Sequence, residues 1–342
     1  VPDYAAVSAT VDLARAAGAG RASGLVNAVL RALLRNGTGL ERFPSQEAEP
    51  VAHLASWGSH PRWLVSRWID AVGLEAASER IAMDNRVPPL GFVPLLPLDR
   101  ATADIAAAGG SARSAGRGSG ALWVEGLSPR ALLELVDGFV QDPGAALVGR
   151  YAAPPEGAIV ADLCAAPGGK ALYLARTAAY VLAADPSAPR LALLRRNVER
   201  TGLPIGVVRA RAEAPPMAGA QLVLADVPCT GTGTLRRHPD ARWRLAPEDP
   251  ARLARVQARM LHGIARAVPY GGLLVYSTCS LEPEENEERV EAFLKDHPDF
   301  RLEPPTGLEL PDVGADGYLR VLPERTGFDG AFAARLRRVQ RG

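Results

Sequence analysis

The stretch Asp162-Leu163-Cys164-Ala165-Ala166-Pro167-Gly168-Gly169-Lys170 decides the fold that this sequence predicts. The apolar run 157–161 before it is typical of a buried strand, and the Ala/Leu-rich run 171–179 after it, free of Gly and Pro, favours a helix. Adjacent glycines let the backbone approach a ligand, and a strand, Gly-rich turn and helix open the doubly wound sheets that bind nucleotides. Because the stretch does not spell G-x-G-x-x-G, it argues against a nicotinamide dehydrogenase.

The composition indicates a globular chain whose cysteines stay reduced. Its 342 residues are 47% apolar and 23% charged with a net charge of +1, so any nucleic-acid surface must come from local clustering. The three cysteines, at 164, 229 and 279, form no C-x-x-C pair, which argues against a disulfide framework and a metal site and favours a reducing cytoplasm.

The ends and the hydropathy of the chain set further expectations. We find no run of 18 apolar residues and no basic-then-apolar leader, so neither a membrane span nor a signal peptide is expected. The chain begins at Val1 instead of Met, and we therefore expect its first helical domain to be incomplete.

The first part of the chain predicts helices followed by a mixed region. Apolar residues recur at helical spacing over 4–14 and 25–34, which predicts a helical hairpin, and the Gly/Pro/Glu-rich segment 37–50 predicts a linker. The elements expected next are helices from 61 and over 74–84, extended chain at 88–97, a flexible loop at 109–120 and a short helix at 127–135.

From about residue 146 the pattern alternates between strand and helix. Predicted strands are 157–161, 180–184, 205–209, 221–225 and 271–277, predicted helices are 171–179, 189–201, 248–268 and 283–295, and a hairpin-like pair is predicted at 318–322 and 330–339. Such a rhythm indicates an α/β fold in which helices cover both faces of a parallel sheet.

Polar residues follow the ends of the predicted strands, where open α/β sheets bind their ligands. They are Asp162, Cys164, Asp185, Asp226, Cys229, Ser277 and Cys279. Asp185 follows Asp162 at close to the spacing at which an acid receives ribose hydroxyls, although a lone strand-end Asp is often only a helix cap. Position, spacing and the glycine turn agree here, and they favour ligand binding.

Cys229 and Cys279 point to covalent chemistry. A buried free cysteine is usually a small hydrophobe, but these two lie in the polar, turn-forming strings 226–233 and 276–280, and we expect both to face the cleft. A thiolate adds reversibly to an electron-poor carbon. Asp226, three residues before Cys229, could share a proton with a heteroaromatic nitrogen.

Three co-linear motifs resemble the S-adenosylmethionine-dependent RNA cytosine-5 methyltransferases, in particular those that modify bacterial ribosomal RNA. The motifs are 162–170, 226–229 with 236–240, and 276–286. The resemblance covers nearly the whole chain. It implies a Rossmann-like methyltransferase domain at 143–342, preceded by an all-α NusB-like domain at 1–45 and a small α/β RNA-binding region at 55–142.

The same resemblance implies partners and residue roles. The cofactor would be S-adenosyl-L-methionine and the partner 16S ribosomal RNA, in a cytoplasmic monomer with no metal and no membrane attachment. Cys279 would attack C6 of a cytosine, Asp226 would hydrogen-bond the ring nitrogen and Cys229 would assist release. The cofactor residues would be Asp162, Cys164 (in the pocket wall), Ala165, Ala166, Pro167, Gly168, Gly169, Lys170, Asp185 (on the ribose), Arg190 and Asp226.

One position departs from the family's pattern. An acid usually follows the third strand, whereas this chain has Arg211 there and Glu213 two residues later. The departure keeps an alternative open, in which a non-catalytic RNA-binding protein retains the fold without cofactor affinity.

An excess of arginine between residues 229 and 266 predicts an RNA-binding surface. The residues favoured for RNA contact, beside the cleft, are Arg236, Arg237, His238 and Trp243. For 252–266 an amphipathic, salt-bridged helix is an equal alternative. Because a base must leave its stack to meet Cys279, we expect an unpaired or flipped cytosine, with the acidic 282–291 helix pointing away from phosphate.

Overall fold

The computed structural model describes residues 2–37, 39 and 42–340, which form two compact units divided between Ala77 and Ser78. The first unit is helical. Its helices are α1 (Asp3–Ala16), α2 (Ser23–Asn36), α3 (Pro50–Ser56) and the first part of α4 (Arg62–Asp84), which leaves helical geometry at Gly73. Contacts between α1 and α2 confirm the predicted helical hairpin.

An antiparallel sheet opens the second unit. Its strands, in the spatial order β2-β3-β1-β4, are β1 (Leu90–Pro94), β2 (Ser111–Ser114), β3 (Leu122–Glu125) and β4 (Gly138–Val140), with helices α5 (Leu98–Ala107) and α6 (Pro129–Leu135). The prediction of a flexible loop over 109–120 is wrong, since this segment contains β2. Pairing with β3 requires only backbone hydrogen bonds, so the polar side chains of β2 do not prevent a strand.

A larger sheet forms the rest of the unit. Its strands are β5 (Ile159–Asp162), β6 (Tyr180–Ala184), β7 (Ile205–Val208), β8 (Leu222–Asp226), β9 (Leu273–Thr278), β10 (Phe300–Leu302), β11 (Leu319–Val321) and β12 (Ala331–Arg338). Its helices are α7 (Pro143–Ala152), α8 (Gly169–Leu174), α9 (Ala188–Thr201), α10 (Asp249–Ala265), α11 (Glu287–Asp296) and α12 (Pro323–Thr326).

The order of the larger sheet is β10-β12-β9-β8-β5-β6-β7, with β11 paired to β12. The five strands from β9 to β7 in that order are parallel, whereas β12 runs antiparallel to β9, β10 and β11. This arrangement confirms the predicted Rossmann-like sheet and the hairpin-like pair at its end. Because β5 lies between β6 and β8, the strand order reverses there, and a ligand crevice opens at the carboxyl ends of these strands.

Alternate residues of the central strands enter two cores on opposite faces of the sheet. In β8, Leu222 and Leu224 join one apolar cluster, and Val223 and Ala225 join the other. Burial on both faces explains the continuous apolar runs in the sequence. Within the described residues, no helix is both long enough and apolar enough to cross a membrane.

Two helices differ from their predicted lengths. The predicted helix 171–179 ends at Leu174, because the following residues turn and lead into β6, where Ala179 N donates to Ala158 O. The predicted helix 283–295 is broken at Asn286, which separates the 3-10 turn Pro283–Glu285 from α11. The Asn286 side chain bonds to both sides of the turn after β9, and this contact fixes the break.

Candidate active site

The Gly-rich turn after β5 is shaped by close packing. Gly168 has φ 116°, and a Cβ atom there would lie 2.3 Å from Leu194 Cδ1. A Cβ on Gly169 would lie 3.0 Å from the Gln141 side-chain nitrogen. Only glycine combines this backbone conformation with so close an approach, so the Gly168-Gly169 pair belongs to the site's architecture.

Lys170, at the start of α8, reaches across to the end of β8. Its Nζ donates to Asp226 Oδ2 at 2.8 Å, while Ser277 Oγ donates to Asp226 Oδ1 at 2.7 Å. Burial alone would lower the pKa of Lys170, but the charge of Asp226 and the hydrogen bond to it raise this pKa above its usual value. The structure therefore joins a lasting cation to a carboxylate at the carboxyl edge of the sheet.

The two candidate catalytic cysteines meet beside this pair. Cys229 Sγ lies 3.2 Å from Cys279 Sγ, and Cys279 N donates to Cys229 Sγ at 3.3 Å; both side chains are half-buried free thiols. The hydrogen bond from Cys229 lowers the pKa of Cys279, and the positive charge of Lys170 adds to this effect. The same bond raises the pKa of Cys229. Of the two thiols, Cys279 is therefore the one that loses its proton more readily.

A cavity of about 460 Å³ lies beside the Lys170–Asp226 pair. Asp162, Lys170, Asp226 and Gln141 line it together with the loop 165–169. Two buried acceptor atoms, Asp162 Oδ2 and Gln141 Oε1, find no hydrogen-bond partner among the residues that the structure describes. Burial, followed by the charge of Asp226, raises the pKa of Asp162 to about 7. A ligand with an ammonium group would supply the missing donors.

Asp185 and Arg190 lie at the other side of the Gly-rich turn. The Asp185 carboxylate accepts from Ala166 N at 3.3 Å and from Ser187 N at 2.8 Å, and it pairs with Arg190 at 3.4 Å. Arg190 also donates to Ala166 O. These bonds fasten the Gly-rich turn to the end of β6. They do not cap α9, because Asp185 accepts from Ser187 N and Ser187 is itself the N-cap residue of that helix. A ribose contact of Asp185 stays a prediction.

Cys164 has the environment of a wall residue. It is half-buried and packs against the apolar cluster that contains Ala212. Burial and the nearby carboxylates, led by Asp162, raise the pKa of its thiol well above the usual value, so it remains protonated. Arg211 and Glu213, which flank Ala212 after β7, are both exposed.

The structure corrects the RNA-binding role predicted for Arg236. Its buried guanidinium donates to Asp329 Oδ1 at 2.6 Å, to Gly327 O at 2.9 Å and to Asp142 Oδ2 at 3.1 Å. Arg237 engages the same two carboxylates and is partly exposed. The sequence predicted an RNA-binding surface here because the acidic partners of Arg236 lie more than 90 residues away along the chain.

The other two residues predicted to contact RNA face solvent. Trp243 is 59% exposed, and His238 is exposed as well. Arg242 between them is buried and donates to Asn85 Oδ1 at 2.8 Å, whereas exposed Arg244 pairs with Asp240. The segment 236–244 thus offers an aromatic ring and an imidazole instead of a row of guanidinium groups. The described part of the chain contains no group of three or more His, Cys, Asp or Glu placed to hold a metal ion.

Sequence reasoning missed two residues of the site. Gln141 follows β4 and lines the cavity. Its position, as a polar residue directly after a strand, is the sequence feature that could have identified it. Glu285 lies in the acidic helix that the sequence predicts to point away from phosphate. The structure buries its side chain completely and turns it toward the two cysteine loops.

Comparison with known proteins identifies the family. Residues 150–337 match the model of the 16S rRNA methyltransferase RsmB/F family, and residues 1–35 match that of the NusB family. The "Probable ribosomal RNA small subunit methyltransferase B" of Bacillus subtilis (strain 168) is 35% identical over 360 residues, which cover 99% of this chain and 79% of that protein. The "Ribosomal RNA small subunit methyltransferase B" of Thermus thermophilus is 36% identical over 339 residues, covering 99% of this chain and 76% of that protein.

The fold has solved counterparts. The crystal structure of NSun6 from Pyrococcus horikoshii with SFG superposes with a TM-score of 0.70 at 18% identity, covering 82% of this chain and 99% of that one. This likeness concerns the fold. The sequence matches over nearly the full chain confirm the family predicted from the motifs: this chain belongs to the RsmB/F family of 16S rRNA methyltransferases.

Proposed function

We propose that this protein transfers a methyl group from S-adenosyl-L-methionine to C5 of a cytosine in small-subunit ribosomal RNA, through a covalent bond between Cys279 and C6. The observation that carries the proposal is the pair of thiols 3.2 Å apart beside the Lys170–Asp226 ion pair. A methyltransferase whose acceptor is already nucleophilic needs no thiol, whereas cytosine C5 becomes nucleophilic only after C6 has gained a substituent.

The cavity fits the methyl donor. The unpartnered oxygens of Asp162 and Gln141 suit the ammonium group of its methionine part, and residues of the loop 165–169 line the same cavity. Asp185 follows β6 and accepts from Ala166 N in the same turn, and its proposed role is to receive the ribose hydroxyls. SFG, present in the NSun6 structure, is an analogue of this donor and supports the assignment by analogy of fold.

Each step of the proposed reaction involves particular residues of this chain. The Cys279 thiolate forms a bond to C6, and the electron pair of the C5–C6 double bond moves into the ring. N3 takes up a proton from water and donates it in a hydrogen bond to Asp226, which Lys170 holds in place. S-adenosylmethionine, when bound, would supply an electrophilic methyl group to C5 and leave as S-adenosylhomocysteine. The C5 proton is then lost to water, the C5–C6 double bond re-forms as N3 returns its proton, and Cys279 leaves as a thiolate. Cys229, whose sulfur lies 3.2 Å from that of Cys279, assists this release.

RNA recognition is proposed for fewer residues than the sequence suggested. Trp243 offers an exposed ring for stacking on a base, and His238 lies on the same exposed segment. Arg236 and Arg237 attach this segment to the rest of the domain through ion pairs with Asp142 and Asp329. An unpaired or flipped cytosine would reach Cys279 more easily than a stacked one.

The test is methyl transfer from a labelled donor to small-subunit ribosomal RNA, followed by bisulfite sequencing to locate 5-methylcytosine. We expect label in the RNA with the wild-type protein and none with Cys279→Ala, while thermal melts show that both proteins are folded. Full activity of Cys279→Ala, or label at a position other than cytosine C5, would contradict the proposal.

A further inference from the structure

Glu285 lies between the two loops that carry the paired thiols. It ends the 3-10 turn Pro283–Glu285 after β9, and its side chain is fully buried, with 0% exposure. Carboxylates are rarely buried to this extent unless they have partners. The contacts of this residue therefore call for an explanation.

Four donors converge on the Glu285 carboxylate. Thr230 N lies 3.0 Å from Oε1, and Gln257 Nε2 lies 2.9 Å from the same oxygen. Thr230 Oγ1 lies 2.5 Å from Oε2, and Ser280 Oγ lies 2.6 Å from it. An ionised carboxylate only accepts hydrogen bonds, and two donors on each oxygen match that capacity.

The positions of these donors in the chain give the contacts a role. Thr230 directly follows Cys229, and Ser280 directly follows Cys279. One carboxylate thus fastens the residue next to each thiol, although the two loops are 50 residues apart in the sequence. Gln257 extends the same connection to α10, since its Nε2 also lies 3.0 Å from Pro228 O.

We propose that Glu285 is a positioning residue that sets the distance between the thiols of Cys229 and Cys279 and thereby controls their cooperation in turnover. The catalytic part of this inference rests on the proposed function of the two cysteines. The geometric part does not, because the spacing of two thiols can be measured without RNA or methyl donor.

A neighbouring residue shows why Glu285 is distinct. Asn286 accepts from Thr278 Oγ1 at 2.6 Å and donates to Ser280 O at 2.9 Å, so it holds only the loop after β9. Glu285 alone of these two side chains contacts both loops. Replacing Glu285 by Gln keeps the size of the side chain but turns one accepting oxygen into a donating amide, which then faces donors.

The experiment compares Glu285→Gln with Glu288→Gln, the same substitution at an exposed position of α11. Phenylarsine oxide, a trivalent arsenical that binds two adjacent thiols together, reports their spacing, and Cys279→Ser gives the signal of a single thiol. Steady-state methyl transfer provides kcat and KM for the RNA. Thr230→Val, which removes one hydroxyl donor and leaves the carboxylate, replaces Glu285→Gln if that variant does not fold.

We expect Glu285→Gln to weaken arsenical binding by roughly tenfold, as for the loss of about one buried hydrogen bond. It should lower kcat by about a hundredfold, the cost of misplacing a reacting group by about 1 Å, without a change in KM for RNA. Thr230→Val should shift both quantities in the same direction, and Glu288→Gln should match the wild type.

Wild-type arsenical affinity in Glu285→Gln would overturn the inference, whatever happens to turnover. Weakened arsenical binding with wild-type kcat would also overturn it, because thiol spacing would then not control turnover. If the wild-type protein methylates no RNA, the proposed function fails, and the arsenical measurement still decides whether Glu285 sets the distance between the thiols.

Discussion

Arg236 provides a test of whether its charge supports the fold or contacts RNA. The side chain is 2% exposed, and its partners Asp142 and Asp329 are 6% and 8% exposed. Arg236→Met removes three hydrogen bonds and leaves Arg237 as the cation facing the two carboxylates. Removal of one partner from a buried ion pair costs about 3–5 kcal/mol, because a buried charge is left uncompensated.

That cost should appear in a thermal melt. For a unit of this size, about 1 kcal/mol corresponds to roughly 2–4 °C, so we expect Arg236→Met to lower the melting temperature by about 6–20 °C. Arg244→Met is the matched control, since Arg244 is 71% exposed and pairs with an equally exposed Asp240. An exposed pair of this kind contributes about 0.3–0.5 kcal/mol, so its loss should lower the melting temperature by no more than about 2 °C.

The alternative role would give the opposite pattern. If Arg236 contacts phosphate, Arg236→Met should weaken RNA binding uniformly and reduce the slope of log affinity against log salt by about 1, with an unchanged melting temperature. That outcome would refute the structural role. We expect an unchanged slope, measured by fluorescence anisotropy at a temperature where both proteins are folded.

Three further predictions concern the site. Folding raises the pKa of Asp162 from 3.8 to about 7, so the free energy of unfolding should fall as the pH rises across that window. The ammonium group of the methyl donor favours the ionised form of Asp162, so binding of the donor below pH 7 should release a proton. Calorimetry in two buffers should detect this proton release with the wild-type protein and not with Asp162→Asn. Trp243→Ala should weaken RNA binding by about 1–3 kcal/mol without lowering the melting temperature, as anisotropy and a melt would show; a parallel loss of stability would contradict the stacking role. Lys170→Met should lower kcat about a hundredfold, because it removes the cation beside Asp226. Lys295→Met, which replaces the other lysine of the chain, should leave kcat unchanged, and equal kcat values for the two variants in a methyl-transfer assay would refute this role of Lys170.

The sequence allowed much of the fold and of the site to be predicted, because the relevant signals are local. Apolar runs marked the parallel strands, and polar residues at their ends marked the crevice, so Asp162, Asp226, Cys229 and Cys279 were found before their spatial relation was known. Parallel strands that end at one edge of a sheet bring such residues together whatever their separation in sequence.

The partners of the buried charges could not be predicted, because pairing across the fold leaves no local pattern. Arg236 lies among other arginines, and its carboxylate partners come from the start of α7 and the start of β12. Glu285 lies in an acidic run that is typical of a solvated helix, yet its donors come from loops and a helix up to 55 residues away. Tertiary packing decided in both cases which charges are buried.

The central claim is that Cys279 forms a covalent bond with the RNA base and that Cys229 assists its release. The most direct measurement is a denaturing gel of Cys229→Ala incubated with small-subunit ribosomal RNA and S-adenosylmethionine. We predict a protein band shifted by bound RNA, absent from the wild type at steady state and absent from the double variant Cys229→Ala/Cys279→Ala. A shifted band that persists in the double variant, or no band from a Cys229→Ala protein that binds both RNA and methyl donor, would contradict the account.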